Sequence, residues 1–356
     1  MAQSAHFVNV NHQSKIVNPI SAMQAIIQDN YGPIDDLRLA EVDKPQIGAD
    51  EVLVRVRAAA VHADVWHAVT GYPYVMRLMG SGLRKPKYPI PGTDMAGIVE
   101  EAGANVTRLQ PDDAVFGESR GGMQWINGGT YAEYVAVPAD ILALKPDNVT
   151  FEQAAVVPTS GMIALINLQN AGLPQAGDKV LVNGAGGGDG AIALQLAKAY
   201  GATVTAVDSA EKLEMLRALG ADQVIDYRRE DFTRSDERYS LIFDVASNLR
   251  LRDCERVLTP QGKYVVIGHD HYGAKGRRVL GSIPQMFGLM VRARFSDHLP
   301  DAGFSEPNSE ELMAVLGEML AAGKLTPIFV RAFPLSQTAD ALRYLVEGTA
   351  HGRCVV

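Results

Sequence analysis

The residues with the clearest chemical meaning lie in the run KVLVNGAGGGDGAIALQLAKAYGATVTAVDS, residues 179–209. Ala185, Gly187 and Gly190 hold the three places of a Gly-x-Gly-x-x-Gly loop, and Gly186, Gly188 and Asp189 complete it. Residues without bulk at those places make a tight turn, let backbone amides approach a pyrophosphate, and let a helix pack closely on a strand. The helix that follows offers unpaired N–H groups and the positive end of its dipole to phosphates. Asp208 stands 18 residues beyond Gly190, near the spacing of roughly 20 expected for an acid that binds an adenosine ribose. Ser209 and Lys212 flank it. The chemistry implied is dinucleotide binding; a glycine turn serving packing alone leaves the position of the acid unexplained.

The surrounding pattern predicts elements able to hold such a site. A buried strand at 180–182, a helix at 191–200 stopped by Gly201, and a strand at 203–207 bracket the loop. A helix at 210–219, strands at 224–226 and 241–245, a helix at 249–258 and a strand at 263–268 continue the alternation. Such a series requires a parallel sheet covered on both faces. Its ligand sits beyond the carboxyl ends of the strands, which makes Ala246, Ser247, Gly268 and His269 candidate neighbours.

Before this unit the chain reads differently. Short strands separated by Gly and Pro, such as EVLVRVRAAAVH, MAGIVEEAG and YAEYVAVP, predict an antiparallel, partly open barrel. After it, Asn308 and Glu311 form the pattern of a capping box, PIFVRAF and HGRCVV read as strands, and Ser336 is expected to cap a last helix. These closing strands are assigned to the first sheet, so that the nucleotide unit becomes an insertion. The expected division is a flexible extension at 1–22 without signal-peptide features, a catalytic part at 23–150 plus 301–356, and a dinucleotide-binding part at 151–300.

Composition excludes several classes. With 33 basic and 41 acidic residues the net charge is −8, which argues against a nucleic-acid or anionic-membrane partner at the level of the whole chain. Two cysteines, Cys254 and Cys354, cannot build a disulfide framework, a four-cysteine zinc lobe or an iron–sulfur cluster, and they fit the cytosol. No apolar run reaches the roughly 18 residues needed to span a bilayer.

IPGTDMAGIVEEAGANVTRLQPDDAVFG, GTYAEYVAVP, FEQAAVVPTSGMIAL, the glycine loop, EKLEMLRALGADQVIDY and PLSQTADALRYLVEGTAHGRCVV together cover nearly all of 23–356. In these the chain resembles the medium-chain dehydrogenase/reductase superfamily, specifically its zinc-free quinone oxidoreductase-like branch. The resemblance implies an α/β fold in which a Rossmann doubly wound parallel sheet is inserted in a GroES-like partly open β-barrel. A cleft between the two parts and a homodimer are implied as well. Zinc-dependent members place their metal ligands where this chain has His62, Thr93 and Val156, so no zinc is expected. Without a Lewis acid, hydride addition to a quinone or an enone is easier than to a simple ketone, because the developing charge is delocalised. The resulting expectation is an oxidoreductase that uses NAD or NADP, with NADH preferred on account of Asp208, and a small hydrophobic substrate. A non-catalytic dinucleotide-binding regulator and an alcohol dehydrogenase are the alternatives.

Within that resemblance Ser160, next to Thr159, is the hydroxyl that faces the nicotinamide. His62 becomes the hydrogen-bond donor to the substrate oxygen, with Asp64 beside it. Tyr72, Tyr74, Thr93, Trp125 and Tyr131 are expected to wall the pocket. Asp189 departs from the family, which carries an apolar residue there; its carboxylate is expected either to weaken cofactor binding or to serve as an acid/base group. The segment at 276–300, apolar residues interleaved with arginines, is read as a dimer face or a lid rather than a membrane contact.

Overall fold

The computed structural model describes residues 22–119, 128–267, 278–281, 283–300, 308–347 and 352–356. Residues 1–21 of the expected extension at 1–22, with Trp125, Gly268 and His269, lie outside them, and Ala22 already belongs to the first strand. The amino-terminal part opens with an antiparallel pair, β1 (Ala22–Ile27) and β2 (Arg38–Asp43). A five-stranded antiparallel sheet follows, made of β3 (Glu51–Ala59), β4 (Asp94–Ala102), β5 (Ala114–Glu118), β6 (Tyr134–Pro138) and β7 (Leu142–Leu144) in the order β6-β3-β4-β5-β7. Helix α1 (Ala63–Thr70) leaves the end of β3 and stops at Gly71, whose φ of 66° provides a left-handed cap. Two helices, α2 (Phe151–Ala155) and α3 (Pro158–Ala171), lead into the second sheet.

That sheet is parallel, with β8 (Lys179–Asn183), β9 (Thr203–Asp208), β10 (Gln223–Asp226), β11 (Tyr239–Asp244) and β12 (Leu258–Val266) in the order β10-β9-β8-β11-β12. Val180, Leu181 and Val182 of β8 are all buried, because helices cover both faces of a parallel sheet and no side of the central strand meets water. Chain order reverses at β8, flanked by β9 and β11. The loop after β8 therefore opens into the crevice where such sheets take their ligands. Helix α4 (Gly188–Ala199) starts inside the glycine run, three residues earlier than the apolar period indicates.

Helix α5 (Leu213–Ala218) follows a 3₁₀ turn, and the helix expected at 249–258 shrinks to α6 (Leu251–Cys254) with another 3₁₀ turn. Pairing claims the rest, since Leu258 opens β12 opposite Tyr239 of β11. Beyond lie α7 (Ile283–Ala293) and α8 (Ser309–Ala321), the latter begun by the Asn308 side chain accepting from the Glu311 N–H. Strand β13 (Phe329–Ala332), helix α9 (Thr338–Val346) and β14 (Arg353–Val355) complete the chain; β13 and β14 pair in parallel as a two-stranded sheet of their own rather than as members of the first sheet. Ser336 does not cap α9: it lies in a 3₁₀ turn, and Thr338 Oγ1 donates to the Leu335 carbonyl at 2.7 Å instead.

The closing strand fixes how the two parts meet. The Ala59 and Val61 amides donate to the Val356 and Cys354 carbonyls, each at 2.9 Å, so β14 lies alongside the end of β3. A shared apolar cluster joins the parts through Leu165 and Leu168 of α3, Leu194 of α4, and Leu312 and Leu316 of α8. Among the described residues no helix is long and apolar enough to cross a membrane.

Candidate functional site

The glycine loop has the form of a cradle. A Cβ on Gly190 would stand 2.3 Å from the Gly184 carbonyl oxygen, so the helix can approach the strand only without one. On Gly188 a Cβ would strike the Arg353 guanidinium at 1.9 Å. Gly187, by contrast, caps α4 with no atom nearer than 3.5 Å to such a Cβ, which leaves its backbone facing the crevice. Ala185 is buried beneath the loop.

At the end of β9 the Asp208 carboxylate is held by its own backbone. Its Oδ2 accepts from the Gly186 N–H at 2.7 Å and its Oδ1 from the Ser209 N–H at 2.8 Å, while Lys212 Nζ stands 3.5 Å away. Ala246 lies across the crevice mouth, its amide 3.3 Å from the Asn183 carbonyl oxygen, and the Ser247 amide donates to Asp244 at 2.9 Å. These groups fit a dinucleotide: small loop residues, a helix N-terminus and a fixed acid in register.

Four side chains from four elements converge at the helix N-terminus. His62 caps α1, Ser160 lies in the first turn of α3, Asp189 in the first turn of α4, and Arg353 opens β14. Arg353 Nη2 donates to Asp189 Oδ1 and to Ser160 Oγ, both at 2.7 Å, and Ser160 Oγ donates to the same Asp189 oxygen at 2.6 Å. His62 Nε2 lies 3.6 Å from Asp189 Oδ1. At that distance the two attract as charges, yet no hydrogen bond joins them, and Nε2 is buried without one.

On its other side His62 Nδ1 is 2.9 Å from Asp64 Oδ2 and 3.2 Å from the Asp64 amide nitrogen. One ring nitrogen cannot donate and accept at once. Burial and the nearby Arg353 charge both push the imidazole pKa down, but the carboxylates of Asp64 and Asp189 outweigh them and raise it to about 9. The ring is therefore an imidazolium at neutral pH, donating from Nδ1 to Asp64 and presenting Nε2–H. Burial raises the Asp189 carboxyl, and Arg353, His62 and Ser160 together reverse this and hold it well below the usual carboxylate range. Two cations and two anions balance.

A second buried group steadies Ser160 from behind. Asp94 accepts from the Thr159 amide at 3.1 Å and lies 2.5 Å from Thr159 Oγ1, which is also 2.9 Å from Glu118 Oε1. Burial raises the Asp94 pKa against the opposing pull of His62, Thr159 and Arg353.

The structure sorts the residues expected from sequence. His62, Asp64, Ser160 and Asp189 come together. Thr159 holds its place through Asp94 and Glu118 rather than facing the crevice, since it is wholly buried. Tyr131 is a correction: its ring is 0% exposed in the barrel core and its hydroxyl donates to the Ala60 carbonyl, so it walls no pocket. Tyr72 and Tyr74 meet edge to face at 5.1 Å near the far end of α1, and Thr93 Oγ1 is buried without a partner. Arg353 was not foreseen. Its signal was an arginine in an otherwise apolar closing strand, together with a carboxylate in the glycine loop that lacked a partner.

At the three places that zinc-dependent members use for their metal, His62 alone has a strong donor. Val156 has no lone pair and is buried, and Thr93 offers only a hydroxyl. Zinc asks for about three firm protein ligands at a catalytic site, so this donor set does not fit it.

A doubly wound sheet with a glycine-lined helix N-terminus, set against a half-barrel that supplies an imidazolium, defines a two-part dinucleotide-dependent oxidoreductase. Residues 48–147 match the family model for an alcohol dehydrogenase GroES-like domain, and residues 219–356 match one described as zinc-binding dehydrogenase. The chain is 30% identical to 2-methylene-furan-3-one reductase of Solanum lycopersicum, covering 94% of this chain and 79% of that protein. It is 31% identical, over the same shares, to the chloroplastic NADPH-dependent alkenal/one oxidoreductase of Arabidopsis thaliana. Among solved structures, the quinone oxidoreductase from Coxiella burnetii superposes with a TM-score of 0.73 at 28% identity, over 94% of this chain and 98% of that one. The chain belongs to the medium-chain dehydrogenase/reductase superfamily, in its quinone oxidoreductase-like branch, and it is an oxidoreductase.

Breaking the buried ion pair from either side should be costly. Arg353→Met leaves Asp189 uncompensated, Asp189→Val leaves Arg353 so, and each is expected to lose about 3–5 kcal/mol in denaturant unfolding. The double variant should lose clearly less than the sum; additive losses would show that the pair does not act as a unit.

Proposed function

We propose that the protein is an NAD(P)H-dependent reductase of quinones or enones that works without zinc, with His62 as the proton-bearing group at the substrate oxygen. The observation that carries this reading is the placement of His62, whose Nδ1 lies 2.9 Å from Asp64 Oδ2 and whose buried Nε2 has no hydrogen-bond partner. A bound reduced nicotinamide supplies the hydride. When hydride adds to a conjugated acceptor, negative charge collects on the acceptor oxygen. An N–H fixed in a water-poor site, already charged, stabilises that oxygen and then gives up its proton to it. Asp64 keeps the ring in the donating orientation, and Asp189 helps keep it protonated. Ser160 and Arg353 hold Asp189 in place, which gives the carboxylate a positioning role rather than direct contact with the reacting atoms.

The finer features of the proposal follow from the same residues. NADH is the preferred cofactor: the Asp208 carboxylate stands fixed at the end of β9, suited to ribose hydroxyls and repulsive to a 2′-phosphate. We place the insertion boundaries at 151 and 300 and take the working form as a homodimer. Both cysteines are unpaired and buried, and burial pushes their thiols up to about 12 for Cys254 and about 11 for Cys354. Such thiols are poor nucleophiles, and this suits a reducing compartment; we assign the cytosol.

NADH oxidation followed at 340 nm with a panel of quinones and enones tests the activity. Cofactor binding with no turnover on any of them would favour the non-catalytic dinucleotide-binding reading. His62→Gln should lower turnover about 10²–10⁴-fold while leaving NADH affinity unchanged. Since the folded pKa is raised, the acid form persists at neutral pH and is lost as pH rises through about 9. Turnover should fall along that limb in the wild type and lose the limb in His62→Gln; an unchanged pH profile contradicts the role. Fluorescence titration should show tighter binding of NADH than of NADPH, and the reverse order refutes the assignment. Stoichiometric zinc in elemental analysis would refute the zinc-free mechanism.

A further inference from the structure

Helix α7 carries two apolar faces. Leu289 and Ala293 turn inward and pack against the cluster containing Tyr264 and Leu299. Phe287, Val291 and Phe295, spaced four apart at α7 and the turn beyond it, face outward; Phe287 is 63% and Phe295 86% exposed. The residues before the helix extend this surface, because the Tyr74 and Val75 amides donate to the Arg278 and Val279 carbonyls at 2.8 and 3.1 Å. The 72–75 segment thereby joins the loop bearing Leu78 and Leu83, 75% and 64% exposed, to Val279 at 63%. Large apolar side chains standing contiguously in water mark a surface that something covers.

Charge says what that is. Residues 65–93 and 271–296 contain no Asp or Glu, in a chain that has 41. The same two stretches expose Arg84, Lys85 and Lys87 beside Leu83, and Arg278, Arg292 and Arg294 around the α7 stripe. None of these six pairs with a carboxylate among the described residues. The net charge of −8 thus conceals two stretches, joined by the 74–278 and 75–279 hydrogen bonds, whose own charged side chains are all positive and stand among exposed apolar ones. A two-fold copy would set this face on itself, arginine against arginine, and like charges in an interface are costly.

We propose that this face docks on an anionic phospholipid surface, the apolar stripe entering the headgroup boundary and the basic residues engaging the lipid phosphates. Basic residues near such a surface are drawn to its negative potential, and the aromatic side chains add burial. The location has a functional sense: α1, eight residues and thus about 12 Å long, runs from His62 to the Gly71–Tyr72 corner of this face. A hydrophobic acceptor held in the lipid is then close to the site. The docking itself does not depend on the proposed chemistry and is read without substrate.

The test is cosedimentation of the full chain with vesicles of phosphatidylcholine alone and of phosphatidylcholine mixed with phosphatidylglycerol. Binding at least about tenfold stronger to the mixed vesicles is expected, weakening with salt. Arg292→Glu with Arg294→Glu, and separately Phe287→Ser with Phe295→Ser, should each reduce it about tenfold or more. Circular dichroism and turnover of a water-soluble quinone should stay unchanged, which separates lost docking from lost folding. Equal binding to both vesicle types, or none to either, overturns the proposal. So does a sedimentation velocity result in which the Phe variants turn a dimer into monomers, since the face then covers a second copy.

Discussion

The site hangs on one buried ion pair, Arg353 with Asp189. The Arg353 side chain is 8% and that of Asp189 18% exposed, and a charge left without its partner in such a place costs several kcal/mol. Each must therefore be where the other is. Arg353 belongs to β14, bonded to the end of β3, and Asp189 to the first turn of α4, so the pair ties the half-barrel to the nucleotide-binding sheet. Ser160 fills the angle between them, and His62 faces the remaining oxygen lobe across 3.6 Å. The glycine at 188 follows from the same constraint, since any side chain there would occupy the space of the guanidinium.

Much of this frame was legible in the sequence, for physical reasons that differ by element. A parallel strand buried on both faces must be apolar throughout, so Val180–Val182 declared itself, and the residues at 185, 187 and 190 admit few other readings in that setting. Asp208 was legible through spacing. The pieces that escaped are those where tertiary structure decides. The helix expected at 249–258 loses its end to an edge strand, and Tyr131 is drawn into a core that no local pattern reveals. Arg353 and Asp189 are 164 residues apart, and no periodicity links them. Each was odd for its element, and the oddity had a single cause.

Asp189 illustrates how a departure from a family pattern acquires meaning. Taken alone, a carboxylate in a phosphate-binding turn looks like an obstacle to the cofactor. With Arg353 against it and His62 beyond, it becomes one member of a balanced set of two cations and two anions. Its two carboxylates, Asp64 and Asp189, are what keep the imidazole charged in a place where burial and Arg353 would strip its proton. Distribution matters on the surface as well: the acidic whole-chain charge hides a basic, apolar face, and the total misleads where the pattern informs.

Proton donation at the site depends on His62 being an imidazolium at neutral pH, sustained by Asp64 and Asp189. Nuclear magnetic resonance titration of the labelled histidine rings, with the His62 signal assigned by its absence in His62→Gln, measures this directly. The expected midpoint is near 9. A midpoint near the ordinary value of about 6.5 would leave the ring neutral in the working enzyme and contradict it.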